Sequence, residues 1–125
     1  MSDSKRIEEF YRKEKDFLYI DLTGLDSYDE LNKISKEIKS IIDKYPPGSL
    51  YIIINLEKIK YDSESIKMLS DFIKSNKGYV KYAVIIGIDG PKKFMINHMI
   101  SINERKKLFF SFSKEKAMDL LLDKE

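Results

Sequence analysis

The sequence contains no cysteine. That absence excludes disulfides, thiol catalysis and thiolate metal sites, and it is compatible with a reducing cytoplasm. An excess of charge of one sign is missing too. With 23 Lys and Arg against 21 Asp and Glu, the net charge of +2 falls far short of the basic excess that would make nucleic acid the default partner. No apolar run approaches the roughly 20 residues a spanning helix needs, and the start Met-Ser-Asp-Ser-Lys-Arg has no apolar stretch behind it. The chain is therefore expected to be cytoplasmic and not membrane-spanning. The single histidine, His98, has no cluster of His, Asp or Glu at ligand spacing around it, so no metal or general-base site is read there. Repeats, linkers and low-complexity segments are likewise lacking.

What is present is a globular balance. Hydrophobic residues make up 42% and charged residues 35% of 125, enough to close one core and too few residues for a second. One domain over 1–125 is expected. The stretch Tyr79 to Pro91 organises it. From Tyr82 to Ile88 the run is apolar and β-branched, which reads as a central strand buried on both faces, and Asp89-Gly90-Pro91 then stops it and starts a helix.

The other segments fit the same plan. Arg6 to Leu22 reads as a β-hairpin with a polar bend at Lys13 to Asp16, a frayed helix over Ile7 to Lys13 being the alternative. Ser27-Tyr28-Asp29-Glu30 has the form of a capping box, and the stripe Tyr28, Leu31, Ile34, Ile38, Ile41, Ile42, Tyr45 carries a helix toward Pro46-Pro47-Gly48. Tyr51 to Leu56 is a second buried strand. Asp62 or Ser63 caps a helix that ends near Asn76-Lys77-Gly78; Pro91 opens another, with Phe94, Met95, Met99 and Ile102 inward, to about Ser101. Leu108 to Phe112 is the last strand, and Ser113 caps a helix with Ala117, Leu120 and Leu121 inward. The sum is an α/β domain: a mostly parallel sheet of about five strands, an antiparallel edge strand at the amino end, and four helices.

Chemistry-bearing motifs are sparse. Gly87-Ile88-Asp89-Gly90 lacks the spacing of a dinucleotide or phosphate loop, so Gly90 reads as a turn and Gly87 as a point of close backbone approach. In a parallel sheet the strand carboxyl ends and helix amino ends share one edge, which gathers Lys58, Lys60, Ser63, Ser65, Lys92, Lys93, Lys114 and Lys116. Helix amino termini with lysines beside them suit a phosphorylated or acidic partner, while plain solvation of a lysine-rich rim is the competing reading. Arg105-Lys106-Lys107 falls at the opposite edge as a solvated turn.

Tyr19-Ile-Asp-Leu-Thr-Gly-Leu25, Pro47-Gly-Ser-Leu50, Asn76 through Tyr82, and Ala83-Val-Ile-Ile-Gly-Ile-Asp-Gly90 together resemble the STAS domain, in particular its SpoIIAA-like bacterial branch related to CRAL-TRIO lipid-binding domains. The ending Arg105 to Phe112, followed by a helix with Glu115, Ala117 and Leu121, is similar as well. The resemblance implies a superhelix of βα units acting as a non-catalytic regulatory or protein-interaction module, with a regulator or kinase-like protein as partner and no cofactor. It also implies a serine phosphorylated at the start of the second helix. The matching stretch, Asp62-Ser63-Glu64-Ser65, offers Ser63 and Ser65 but places Glu64 between them and has no glycine. The alternative function is an anionic small-molecule or lipid-headgroup binder using Lys92, Lys93, Gly90 and Lys114; the extra helices that enclose a lipid in larger CRAL-TRIO proteins are missing, so a surface site is expected. Monomer and homodimer both stay open, because Leu108 to Phe112 would be core or interface according to where its strand sits.

Overall fold

The structure, a computed structural model, describes residues 6–25, 27–58, 63–88 and 107–124, with the backbone alone at 28, 63–66 and 68. The hairpin is present and the helical alternative is overturned: β1 (Ile7–Arg12) pairs antiparallel with β2 (Lys15–Asp21). The bend is tighter than its polar residues suggest. Arg12 pairs with Lys15, so only Lys13 (φ 52) and Glu14 (φ 63) form the turn, both left-handed. Two positive φ values are what a two-residue turn needs to match strand twist, and neither residue type announces them.

Helix α1 (Tyr28–Ile42) starts where the capping box predicts. Ser27 Oγ accepts from the Glu30 backbone N–H at 3.1 Å; the Glu30 carboxylate accepts from the Ser27 hydroxyl at 3.3 Å, so the return leg ends on the side chain rather than on the Ser27 backbone. Leu31, Ile34, Ile38 and Ile42 are buried at helical spacing. The helix stops at Ile42, ahead of the prolines, and Tyr45 packs beside the core, where its hydroxyl donates to Glu9 at 2.6 Å. Burial first, and Glu9 next, push the Tyr45 phenol up to about 12.

The alternation continues through β3 (Leu50–Asn55), α2 (Ser63–Asn76), β4 (Val80–Ile86), β5 (Leu108–Ser111) and α3 (Lys114–Leu122). Spatial order follows chain order, β1-β2-β3-β4-β5, and every pair after the hairpin is parallel. Three helices lie among the described residues; the helix predicted to open at Pro91 lies outside them.

Leu18, Ile20, Ile52, Ile54 and Ile85 point toward α1 and α2, whereas Phe17, Tyr51, Ile53, Val84 and Ile86 point toward α3. The middle strand is β3, buried at five of its six positions, and not β4. In β4 only Val84, Ile85 and Ile86 are buried, and Tyr82 and Ala83 are half-buried. Tyr82 lies on the α3 side and Ala83 on the α1 and α2 side, so the partial exposure at the start of β4 is found on both faces. Lysines lie against the rings of the α3 side: Lys124 is 5.6 Å from the Tyr82 ring and 4.4 Å from Phe109, Lys15 5.6 Å from Tyr51. Within α3 the inward residues are Ala117, Met118 and Leu121, Leu120 being only partly covered.

Candidate interaction rim

The carboxyl ends of β2, β3, β4 and β5 form one rim, and hydrogen bonds between loops fix its shape. Leu22 N–H donates to Asn55 O at 2.9 Å, Gly24 N–H to Glu57 O at 3.0 Å, and Leu56 N–H to Ile86 O at 2.9 Å. The loops after β2 and β3 and the end of β4 are thus stitched edge to edge. Side chains lock them: Asp21 Oδ1 accepts from Thr23 N–H at 2.9 Å, and Arg6 Nη1 donates to the carbonyls of Asp21 and Thr23, each at 3.1 Å.

Asn55 is the residue that sequence reasoning missed. Its Oδ1 accepts from Glu57 N–H at 3.0 Å and its Nδ2 donates to the Tyr19 hydroxyl at 3.1 Å, so it sets the loop that leads from β3 toward α2. The polar residue ending an isoleucine run was the available signal. Gly87, read as a close approach, is one: at φ +87 an added Cβ would stand 2.7 Å from Glu57 N and 2.8 Å from Asn55 Oδ1. Lys58, at φ 60, gives the β3–α2 loop a left-handed step.

Of the sequence-predicted site residues, Ser63 and Ser65 fall in the first turn of α2, on this rim. Lys114 opens α3, but its Nζ is engaged: it pairs with Glu8 Oε1 at 3.0 Å and lies 4.3 Å from the Tyr19 ring centroid. An anion there would share the ammonium with a carboxylate. Gly90, Lys92, Lys93 and His98 lie outside the described residues. Lys116 is at the rim, its Nζ 5.6 Å from the Phe112 ring.

Phe112 is the unexpected feature. It follows β5 directly, precedes the α3 cap Ser113, and is 88% exposed, whereas Leu108 in the same apolar run is buried. Run composition could not separate them, because the strand ends one residue before Phe112. Ser113 Oγ accepts from Lys116 N–H at 3.2 Å, which fixes the turn that leaves Phe112 outside. Strands β3 and β5 are two positions apart, so the ends that carry Phe112 and lead to α2 are separated by about 10 Å across the sheet. Among the described residues no group of three metal-ligating side chains comes together, and no helix is long and apolar enough to cross a membrane.

The element order, the strand order and the single antiparallel pair match solved structures over nearly the whole chain. An uncharacterized protein with a SpoIIAA-like fold from Shewanella loihica superposes at a TM-score of 0.67 with 13% identity, covering 92% of this chain and 91% of that one. The phosphorylated form of the Bacillus cell fate determinant SpoIIAA gives 0.62 with 15% identity, covering 92% and 98%. The chain has the SpoIIAA-like, or STAS, fold. The anti-sigma factor antagonist SpoIIAA in its unphosphorylated form is similar to the same degree, at 0.62 with 14% identity over 95% of this chain and 98% of that one. No family model and no curated protein sequence matches. In this fold the first turn of α2 and the exposed Phe112 lie on the same rim, at strand ends two positions apart.

Proposed function

We propose that this STAS-fold chain is a non-catalytic regulatory module whose rim docks a partner protein. Phe112 carries the reading. A strongly exposed aromatic ring on a hydrogen-bonded rim is the kind of anchor that dominates protein interfaces, and leaving it in water otherwise brings no folding benefit. The solved SpoIIAA structures, an anti-sigma factor antagonist in phosphorylated and unphosphorylated forms, support the regulatory sense of this reading.

Ser63 or Ser65 would then be the phosphate acceptor that controls docking, with a kinase-like protein among the partners. A phosphate in the first turn of α2 would meet the N–H groups and partial positive charge of the helix start, while Glu64 between the serines opposes it by like charge. Mass spectrometry of the protein recovered from its native cell tests the switch. Phosphate on Ser63 or Ser65 in some growth conditions, lost in the matching Ser→Ala variant, is the expected result; both serines unmodified in every condition would contradict it.

A further inference from the structure

We propose that the outer edge of β1 is a self-association surface, on which a second copy of the chain adds its own β1 antiparallel about a two-fold axis at Phe10. β1 is the terminal strand of the sheet. It runs six residues without proline, and its register with β2 is unbroken from Ile7↔Ile20 to Arg12↔Lys15, so it has neither bulge nor proline to blunt it; its charges, Glu8, Glu9 and Arg12, discourage unwanted pairing and leave only a register that matches them.

The hairpin decides which backbone groups are on offer. In a two-residue hairpin the residues flanking the turn form a hydrogen-bonded pair. Arg12, Phe10 and Glu8 therefore turn their N–H and C=O groups to β2, and Tyr11, Glu9 and Ile7 turn theirs outward. Side chains then choose the register. A two-fold axis normal to a continuous sheet pairs even-numbered residues with even and odd with odd. Centred on Phe10, the pairing sets Glu8 opposite Arg12 of the second copy, twice over, Phe10 opposite Phe10, and Glu9 opposite Tyr11 as hydrogen-bonded backbone partners. Centring on Glu8 or Glu9 instead sets like carboxylates face to face, and centring on Tyr11 sets Phe10 against Arg12 and leaves Glu9 facing only Lys13, a turn residue beyond the end of the strand.

Two further observations agree with that register. Phe10, Phe17, Tyr51 and Tyr82 form a ladder across four strands in register, with ring centroids 5.1, 5.5 and 6.1 Å apart, and Phe109 continues it diagonally at 5.9 Å. It stops at Phe10 only because the sheet does; Phe10 against Phe10 carries it into the second copy. Glu8 meets Lys114 through Oε1, which leaves Oε2 for a guanidinium from across the axis. Tyr11, 65% exposed, is the large hydrophobic side chain on this edge that pairing would cover. The strand-end rim is unobstructed in such a pair, because Phe112 follows β5, four strands away.

Sedimentation velocity on the full chain over a concentration series tests the proposal. The wild type is expected to dimerise, and Glu8→Arg or Arg12→Glu alone to weaken the dimer at least about tenfold, because each replaces two opposite-charge pairs by like charges. Mixing the two variants restores both pairs across the axis, so the mixture is expected to dimerise where neither variant does. Tyr11→Pro removes an outward N–H without touching a β2 bond, and should leave a folded monomer by circular dichroism. A wild type that stays monomeric throughout, single variants that dimerise unchanged, or a mixture that stays monomeric would each overturn it.

Discussion

Gly87 is where a single methyl group would do most damage to the rim. Its φ of +87 suits glycine, and the missing Cβ lets Glu57 N and the Asn55 amide approach to distances no side chain allows. Gly87→Ala is expected to lower stability by about 1–3 kcal/mol from backbone strain alone, with the backbone clash adding to it. A urea midpoint unchanged from wild type would contradict that. The residue was legible as a close approach because a glycine in an isoleucine-rich strand has few other uses. Asn55 and Phe112 were not legible as they stand: what each does depends on where a strand stops in space, which composition does not record.

The elements divide by how local their causes are. α1 was readable at its start and along its buried face because its cap and its stripe lie in its own sequence, although it ends at Ile42 and leaves Tyr45, the last residue of the expected stripe, outside it. The hairpin was readable, but its turn was not, since Lys13 and Glu14 adopt left-handed angles that the register of β1 with β2 imposes on them. Lys13→Asn with Glu14→Gly supplies residues that take those angles freely, and is expected to raise stability by about 0.5–1 kcal/mol in chemical denaturation. A loss of stability would mean that the turn is not the two-residue kind. The apolar run of β4 reads as the middle of the core; β3 holds that place, because it has two strands on each side and is buried at five of its six positions, which depends on strand order and not on the composition of one run.

At the scale of the whole molecule, strand order and crossover rules suffice to gather Ser63, Ser65 and the last helix cap on one edge, and the starts of α2 and α3 lie there. The rim's loops are stitched by hydrogen bonds, and among the described residues it presents one strongly exposed aromatic ring to solvent. The central claim, that this edge docks a protein, predicts where a partner must touch. A photo-activated cross-linking residue placed at position 112 in the native cell, compared with the same residue at the exposed position 44 beyond the far end of α1, measures that contact directly. A discrete protein adduct from 112 and none from 44 is the expected result; adducts of equal yield from both positions, or none from 112, would contradict the account.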